Sequence, residues 1–396
     1  MNHEIDITQA RIDTPGCANV VHFNNAGASL MPRPVLEAIK EHLNLEAAIG
    51  GYEAAARAHD AVEHVYHSIS KLLNCEPDDI AVIENATRAW DMAFYSIPFE
   101  PGDIILTSAA EYASNYIAYL QVSKKTGARI VVVPNEENGQ ISIRALSNLI
   151  DKRVKIIAIT HVPTNGGLVN PAADVGKIAR QAGILYLLDA CQSVGQMPID
   201  VHEIGCDFLT ATGRKYLRGP RGTGFLFVRR GAIEKLEPPF LDLHAARWSS
   251  RDHYEVRLDA RRFENWETYY AGKIGLGVAV DYALAWGLDQ IWKRVSALAG
   301  SLRAKLMDIP KVRVLDLGVV KCGIVSFTID GHRPEDICLK LSQLNFNVTY
   351  SLMEYTRLDM EARGLESLVR ASVHYYNTEG EINCFCETLR EMVLCG

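Results

Sequence analysis

The sequence predicts an α/β fold with two parts: a large domain built on a mainly parallel seven-stranded sheet, and a small C-terminal α+β domain. Seven short apolar runs, rich in β-branched residues, lie between residues 80 and 229, and helix-like stretches separate most of them. This alternation is typical of βαβ units. Several runs are apolar at successive positions, as in strands buried on both faces. After about residue 265 the pattern changes to long helices followed by short strands.

The elements of the large domain follow a regular order. Residues 1–20 are interpreted as an N-terminal arm, and residues 33–73 as helical, with prolines near the start. The predicted strands are IAVI (80–83), DIILTS (103–108), RIVVVP (129–134), KIIAITH (155–161), ILYLLDA (184–190), DFLTAT (207–212) and GFLFVR (224–229). The predicted helices are 87–97, 113–126, 142–151, 172–182 and 199–204. A Gly-rich turn between the last two strands is compatible with an antiparallel pair at one edge of the sheet.

The C-terminal third predicts a smaller unit. One or two long helices fill residues 271–309, and later strands and helices are IVSFTI (324–329), 334–344, NVTYSL (347–352), VRASVHYY (369–376) and 379–394. We therefore divide the chain into an arm (1–20), a large domain (21–270) and a small domain (271–396). Helices 33–73 belong to the large domain in this division but could pack on the small one.

Composition argues against several classes of protein. The net charge is −7 and no block of like charges occurs, whereas nucleic-acid binding needs clustered Lys and Arg. No apolar run reaches about 18 residues, and the polar N-terminus does not resemble a signal peptide. The nine cysteines are scattered without a CxxC pair, so neither a disulfide framework nor a metal site is expected. We expect a cytoplasmic protein without nucleic-acid or membrane partners.

Two charged residues stand where predicted strands end. Lys215 follows DFLTAT beside glycines, and Asp189 closes the run ILYLLD. Open α/β sheets bind ligands at the carboxyl ends of their strands. A carboxylate at the mouth of a buried strand needs a cationic partner, which a protonated ring nitrogen of pyridoxal phosphate (PLP) would supply. The alternatives are a surface lysine for Lys215 and a helix cap or structural ion pair for Asp189.

Eight segments together resemble the class V aminotransferases, a family of fold-type I PLP-dependent enzymes. This family includes cysteine desulfurases, selenocysteine lyases, C–S lyases and isopenicillin-N-epimerase-like proteins. The segments occur in the family's order: FNNAGASLMP (23–32), ENATRAW (84–90), EYASN (111–115), THVPTNGGLVNP (160–171), DACQ (189–192), TGRKYLRGP (212–220), RFENWET (262–268) and VRASVHYYN (369–377). The resemblance covers nearly the whole chain. It implies the fold-type I architecture, PLP as cofactor and a homodimer with the active site at its interface.

The resemblance also assigns roles near the cofactor. Lys215 matches the lysine that bonds to the cofactor aldehyde and moves the α-proton, Asp189 the acid facing the ring nitrogen, and Gln192 the partner of the phenolic oxygen. The phosphate would lie at a helix start formed by Ala86 and Thr87, with Thr212 and Arg214 beside it. Arg214 stands where many relatives have histidine. For Thr87 a helix cap is the alternative.

The remaining predicted cofactor contacts involve positions at which this sequence differs from many relatives. Tyr112 stands where many relatives have a histidine stacked on the ring; tyrosine can also stack, but it is a poorer acid–base group near neutral pH. Thr164 aligns with a cofactor-facing asparagine of desulfurases, and Asn165 is adjacent, so either residue could take this role. Thr268 would reach the phosphate of the neighbouring subunit.

For the substrate, the resemblance points first to Arg370, which matches the arginine that binds the α-carboxylate. Ala28, in FNNAGASLMP, is also expected to contact the substrate. His244 and Arg247 lie in a polar, aromatic segment that lines the site entrance in this family, sometimes from the partner subunit. A surface loop is the alternative for that segment.

One departure from the family pattern bears on the reaction. Cysteine desulfurases carry a nucleophilic cysteine on a loop shortly before the carboxylate-binding arginine, but residues 347–368 contain none. We therefore favour a C–S lyase that performs β-elimination on a cysteine-derived substrate without a persulfide cysteine. An amino-acid epimerase or aminotransferase remains an alternative. A non-catalytic PLP-fold regulator is a more remote one.

Overall fold

The computed structural model describes residues 4–395, so the first three residues of the predicted arm and Gly396 lie outside the described residues. It has the predicted α/β architecture. The strands are β1 (Val21–His22), β2 (Ile80–Ile83), β3 (Ile104–Ser108), β4 (Arg129–Val133), β5 (Val154–Thr160), β6 (Leu185–Asp189), β7 (Phe208–Thr212), β8 (Gly224–Val228), β9 (Ala246–Ser250), β10 (His253–Val256), β11 (Val312–Val314), β12 (Ile324–Ile329), β13 (Phe346–Asn347), β14 (Thr349–Leu352) and β15 (Ser367–Ser372).

The helices surround these strands on both sides. They are α1 (Ile7–Ile12), α2 (Arg33–Ile49), α3 (Gly51–Arg57), α4 (His59–Leu73), α5 (Ala86–Phe94), α6 (Ala113–Thr126), α7 (Ile143–Leu149), α8 (Ala172–Ala182), α9 (Val201–Ile204), α10 (Arg230–Ile233), α11 (Tyr270–Trp286), α12 (Leu288–Met307), α13 (Pro334–Gln343), α14 (Arg357–Ala362) and α15 (Glu379–Cys395). Within residues 4–395, none of them has the length and apolar character that a membrane-spanning helix needs.

The seven predicted strand runs form one sheet in the order β2-β8-β7-β6-β5-β3-β4. All neighbouring strands are parallel except those that pair with β8, which is antiparallel to both β2 and β7. The antiparallel β7–β8 pair is therefore confirmed, but its expected place at the sheet edge is wrong. Strand β2, from an earlier part of the chain, covers β8 and forms the edge.

Two apolar layers cover the two faces of this sheet. On one face, Trp90, Phe94 and Tyr119 from α5 and α6 pack in one core with Ile105 and Phe208. On the other face, α4, α8 and α11 contribute to a second core with the sheet. Helix α11 also runs close to α4, since a Cβ added to Gly277 would lie 3.2 Å from the Cα atom of Val65. Helix α2 packs on α11 as well, since Val35 and Ile39 form one apolar cluster with Ala271 and Ala279. The proposed division into domains stays a prediction.

A second sheet, with the order β11-β12-β15-β14, is antiparallel throughout. Helices α12, α13 and α15 pack on it around a core that includes Phe327 and Phe385. An N-terminal segment connects to this sheet: β1 pairs with β13 in parallel, and Ser372 N–H donates to the Phe23 carbonyl. This pairing brings residues 23–29 and the end of β15 to the same side of the large sheet.

Candidate active site

A cavity of about 190 Å³ lies at the carboxyl ends of β5, β6 and β7 and at the start of α5. This is the edge of the sheet at which open α/β folds bind ligands. Its lining contains many of the sequence-predicted residues, namely Ala86, Thr87, Tyr112, Thr164, Asp189, Gln192, Thr212, Arg214 and Lys215. The four remaining lining residues, which the sequence reasoning did not single out, are Asn85, Thr160, Val162 and Cys191.

Lys215 reaches this cavity from the loop that follows β7. It is partly buried, and burial lowers the pKa of its amine; the guanidinium groups of Arg214 and Arg370 act in the same direction. A lowered pKa increases the share of neutral amine, which is the nucleophilic form. The lysine is therefore suited to bond with an aldehyde.

The loop that carries Lys215 is fixed on its C-terminal side. Tyr216 accepts a hydrogen bond at its carbonyl from His374 Nε2 at 2.8 Å. Arg218 is fully buried, with a backbone φ of 61°, and its N–H donates to the Lys215 carbonyl at 2.9 Å. Its guanidinium donates to the Tyr375 hydroxyl at 2.6 Å and stacks over the Tyr376 ring at 4.4 Å. The segment after β15 therefore holds the lysine loop in place.

Asp189 ends β6 and is buried, with 5% of its surface exposed. Its carboxylate accepts from Asn115 Nδ2 at 3.0 Å and from the Cys191 N–H at 2.9 Å. Both donors are neutral, so neither neutralises the carboxylate. A protonated ring nitrogen in the cavity would supply the cation that a buried carboxylate needs.

The start of α5 offers a seat for an anion. Asn85 caps the helix by accepting from the Arg88 N–H at 2.9 Å, and the N–H groups of Ala86 and Thr87 have no acceptor within the helix. Thr212 and Arg214 line the same cavity from the end of β7. Free N–H groups, the helix dipole and a guanidinium together suit a phosphate.

Gln192 and Thr164 meet on another side of the cavity. Gln192 Nε2 donates to the Ala26 carbonyl at 3.1 Å and to Thr164 Oγ1 at 3.4 Å. Its Oε1 atom is buried and has no hydrogen-bond partner among residues 4–395. An unpartnered buried acceptor at a cavity wall is a sign of a missing ligand group.

Thr164 and Asn165 lie differently relative to the cavity, and which of them contacts the cofactor stays a prediction. Thr164 lines the cavity, whereas the side chain of Asn165 points to the small sheet, donating to Thr356 Oγ1 at 2.8 Å and approaching Met360 Sδ at 2.8 Å. Asn165 therefore connects the segment after β5 to residues 356–360 instead of lining the cavity.

Arg370 on β15 is buried beside Thr164. Its guanidinium donates to Thr164 Oγ1 at 2.8 Å and to the Thr164 carbonyl at 3.0 Å, and Asn24 Oδ1 lies 3.5 Å away. All these partners are neutral, and Nε has no hydrogen-bond partner within the described residues. Burial lowers the pKa of Arg370 to about 10, because none of its hydrogen-bond partners carries a compensating negative charge. An anionic ligand would supply that compensation.

Six predicted residues do not line this cavity: Asn165 and Arg370, described above, and Ala28, Thr268, His244 and Arg247. The Ala28 carbonyl accepts from His22 Nε2 at 2.9 Å, close to residues that do contact the site. Thr268 lines a separate cavity of about 740 Å³ with Tyr52 and Tyr269. His244 lies 3.1 Å from the buried Glu264, and Arg247 is exposed and pairs with Glu255 at 2.7 Å. Their roles stay predictions.

The hairpin β9–β10, which carries Arg247, was interpreted from the sequence only as a segment near the site entrance. Most of its residues are exposed, so its strands show no apolar alternation. Cys191 and Thr160 escaped notice for a different reason. Cys191 lies beside Gln192, and Thr160 is the last residue of β5. The signal that could have found both residues is their position at or just after the end of a predicted strand.

Two further residues behind the cavity were also missed. Glu111 is buried and Asn115 donates to it at 2.9 Å as well as to Asp189. No group of three or more His, Cys, Asp or Glu side chains within residues 4–395 is arranged to hold a metal ion. The functional groups of the cavity are thus an amine, a carboxylate, an amide and an anion seat.

These groups define a class of protein. A lysine amine of lowered pKa, a buried carboxylate without a cation, an unpartnered amide oxygen and an anion seat fit the aldehyde, ring nitrogen, phenolic oxygen and phosphate of PLP. The residues of the cavity are those of a PLP-dependent enzyme of fold type I.

Comparison with known proteins gives the family. The profile described as Aminotransferase class-V matches residues 21–385, and the chain belongs to this family of PLP-dependent enzymes. A probable cysteine desulfurase of Methanothermobacter thermautotrophicus is 29% identical over 396 residues, 98% of each chain. A probable cysteine desulfurase of Xylella fastidiosa is 32% identical, covering 93% of this chain and 90% of the relative.

Solved structures agree on the fold. The apo cysteine desulfurase of Thermococcus onnurineus superposes with a TM-score of 0.93 and 26% identity over the full length of both chains. The cystine C–S lyase C-DES, solved with its product cysteine persulfide, superposes with a TM-score of 0.86 at 22% identity, covering 96% of this chain and 99% of that one. The second likeness concerns the fold alone.

Proposed function

We propose that this PLP-dependent enzyme is a C–S lyase that performs β-elimination on a cysteine-derived amino acid without a persulfide cysteine. The bound cofactor supplies an aldehyde for the substrate amine and a ring that accepts electrons from the α-carbon. The residues of this chain then decide which bonds break. The observation that carries the choice of lyase is the absence of a cysteine between residues 347 and 368, the segment that leads to Arg370.

Lys215 and Asp189 take the central roles. Lys215 holds the cofactor between turnovers, and its neutral amine then removes the proton from the substrate α-carbon. The lowered pKa of Lys215 supports this role as a base. Asp189, fixed by Asn115 and the Cys191 N–H, keeps the ring nitrogen protonated.

Arg370 orients the substrate. A forked guanidinium suits a carboxylate, and Arg370 has neutral protein partners and an unpartnered Nε. Thr164 fixes two of its N–H contacts, so the direction of the guanidinium is set before the substrate binds. Ala86, Thr87, Thr212 and Arg214 would hold the phosphate, and Tyr112 would stack on the ring.

The cysteines nearest in sequence to the segment 347–368, and the one that lines the cavity, are unsuited to accept sulfur. Cys338 lies on α13 and Cys384 on α15, outside the segment 347–368. Cys191 does line the cavity, but burial and the Asp189 carboxylate raise its thiol pKa well above the ordinary range. A thiol that stays protonated is a poor nucleophile. Elimination without a thiolate therefore fits these residues better than persulfide formation.

The named relatives support a sulfur amino acid as substrate, since those reported above are probable cysteine desulfurases and a desulfurase structure shares the fold over the full length. In the proposed reaction the Cα–H and Cβ–S bonds break and the leaving sulfur takes up a proton. The released aminoacrylate is hydrolysed by water, so the products are a thiol, pyruvate and ammonium.

We further propose that the enzyme is a cytoplasmic homodimer. The eight cysteines from Cys17 to Cys386 are free thiols, as expected in a reducing compartment. The large cavity at Thr268, with the exposed Tyr52 and Tyr269, supports contact with a second subunit. Thr268, His244 and Arg247 would then act across the interface.

The test is product analysis with the PLP-loaded protein and L-cysteine, L-cystine and cysteine S-conjugates. We expect pyruvate and ammonium in equal amounts from at least one of them. The variant Lys215→Ala should abolish turnover and the visible absorbance of the lysine-bound cofactor. The control Lys177→Ala, which removes an exposed lysine on α8, should retain both.

Other products would contradict the proposal in identifiable ways. L-Alanine from L-cysteine with sulfur left on the protein would establish a desulfurase. The D-enantiomer without net loss would establish an epimerase, and turnover only with an added oxoacid an aminotransferase. A protein that binds PLP and converts none of these amino acids would be a regulator.

A further inference from the structure

A second buried carboxyl group lies behind Asp189. Glu111 follows β3 and is 3% exposed, and it does not line the cavity. Its Oε1 accepts from the Tyr112 N–H at 2.8 Å, from Asn115 Nδ2 at 2.9 Å and from the Thr160 hydroxyl. Its Oε2 accepts from the Thr107 hydroxyl at 3.0 Å and the Tyr119 hydroxyl at 3.3 Å. Five donors thus surround a buried carboxyl group.

Glu111 and Asp189 share one amide. The two N–H bonds of Asn115 are divided between Glu111 Oε1 at 2.9 Å and Asp189 Oδ2 at 3.0 Å. An amide NH₂ has two donors, so Asn115 has none left for another partner. The position of Asn115, and with it that of the Asp189 carboxylate, therefore depends on Glu111.

The charges around Glu111 are few. Of the elements packed against it, β6 contributes Asp189 and α6 contributes Tyr119 as titratable groups, while β3 and β5 contribute threonine hydroxyls. Burial raises the pKa of Glu111 to about 7, and Asp189 acts in the same direction. No cationic side chain contacts Glu111 in these hydrogen bonds, so a positive charge on the cofactor ring would favour its ionised form.

We propose that Glu111 is a positioning residue for the cofactor: through Asn115 it fixes Asp189 against the ring nitrogen and adds a second negative charge behind it. The proposal rests on the role of Asp189 proposed above. Two carboxylates in a low-dielectric site hold a ring proton more firmly than one does. Removing the charge of Glu111 should therefore let the ring nitrogen lose its proton at a lower pH.

The test uses protein loaded with PLP that carries ¹⁵N at the ring nitrogen, whose chemical shift reports the ring proton directly. We compare the pH titration of wild type and Glu111→Gln without substrate. Glutamine keeps the shape and an acceptor for Asn115 but removes the charge. The titration midpoint should fall by about half a unit or more.

Two further variants separate charge from packing. Thr107→Val removes a donor to Glu111 Oε2 with little change of shape, which disfavours the ionised carboxylate, so the midpoint should fall by a smaller amount. It also serves as the test if Glu111→Gln fails to fold. Tyr116→Phe removes a hydroxyl from the same helix, on a residue whose ring packs on Tyr119, and should leave the midpoint unchanged.

Asp189→Asn distinguishes a failure of the role proposed for Glu111 from a failure of the role proposed for Asp189, on which the first rests. If Asp189→Asn shifts the midpoint while Glu111→Gln and Thr107→Val do not, the role of Glu111 is overturned and that of Asp189 stands. If Asp189→Asn itself leaves the midpoint unchanged, Asp189 does not face the ring nitrogen and both proposals fail.

Discussion

Burying the Arg370 guanidinium among neutral groups costs folding free energy, because its hydrogen bonds to Thr164 return only part of what hydration provided. A ligand carboxylate would recover the remainder, and the fork of the guanidinium would also fix its orientation. Residues that destabilise the free protein but stabilise its complex with a ligand are typical of binding sites.

Arg370→Lys tests this interpretation. Lysine keeps a positive charge but loses the planar fork, so the carboxylate is held less firmly. We expect kcat/KM for the best cysteine derivative to fall about 10- to 100-fold, equal to about 1.4 to 2.8 kcal/mol, mainly through a higher KM. Cofactor affinity, measured by absorbance titration, should stay unchanged.

The matched control is Arg333→Lys, which makes the same substitution at an exposed arginine before α13. Its kinetics should equal those of wild type. An Arg370→Lys enzyme with wild-type KM would show that Arg370 does not bind the substrate carboxylate.

Single residues differ in how well sequence predicts them. Asp189 and Lys215 follow from apolar runs, since the end of a parallel strand fixes where the next side chains lie. The choice between Thr164 and Asn165 depends on which side chain turns toward Thr356, a contact with a segment nearly 200 residues later. Local pattern contains no information about such a contact. Glu111 was missed because its side-chain partners come from three separate elements, β3, β5 and α6.

At the scale of elements, the lysine loop is held by close backbone contact. Gly195, in the segment DACQSVG, has a φ of 93°. A Cβ added there would lie 2.4 Å from the carbonyl carbon of Tyr216 and 2.6 Å from the Leu217 nitrogen. The turn after β6 therefore packs directly on the residues that follow Lys215, and only glycine permits the approach.

Gly195→Ala should move the lysine loop. The left-handed backbone alone costs about 1 kcal/mol with a Cβ present, and the clash should add about 1 to 3 kcal/mol. We expect a lower urea midpoint of unfolding and weaker binding of PLP, measured by absorbance titration. The matched control is Gly183→Ala, because Gly183 also has a positive φ of 67° but open space where its Cβ would be.

Gly183→Ala should lose only the roughly 1 kcal/mol of stability that a Cβ costs in the left-handed backbone conformation, and it should keep wild-type affinity for PLP. Equal losses of stability and cofactor affinity in the two variants would mean that the contact between Gly195 and Tyr216 has no effect on the lysine loop.

The elements themselves were largely predictable. All seven strands of the large sheet were identified because each is a short apolar run rich in β-branched or aromatic residues. The apolar runs identify the strands but do not show which strands are neighbours in the sheet. The position of β2 beside β8 and the pairing of β1 with β13 join distant parts of the chain. The β9–β10 hairpin was missed because exposure removes the apolar pattern.

At the scale of the whole molecule, three buried histidines lie in separate parts of the fold. His22 on β1 contacts the Ala28 carbonyl, and His374 after β15 contacts the Tyr216 carbonyl in the lysine loop. His161 follows β5 and its Nδ1 has no partner within residues 4–395. Burial lowers the pKa of each of these three imidazoles. All three are therefore kept neutral by the folded state.

This arrangement makes stability depend on pH in a defined direction. Burial lowers the pKa of His161 to about 4, whereas an unfolded histidine titrates near 6.5. Between these values His161 binds more protons in the unfolded chain than in the folded one, so its contribution to the free energy of unfolding rises with pH. The contribution is complete above about pH 6.5 and is lost as the pH falls toward 4. It amounts to roughly 3 kcal/mol.

His161→Leu should therefore flatten the pH dependence of unfolding. We would measure the urea midpoint of the PLP-loaded protein across this pH window for wild type, His161→Leu and the control His59→Leu. His59 is exposed at the start of α4, so its replacement should leave the slope unchanged. The slope matters more than the absolute midpoint, since leucine also changes packing in the core. Equal slopes in wild type and His161→Leu would show that His161 is protonated equally in the folded and unfolded states.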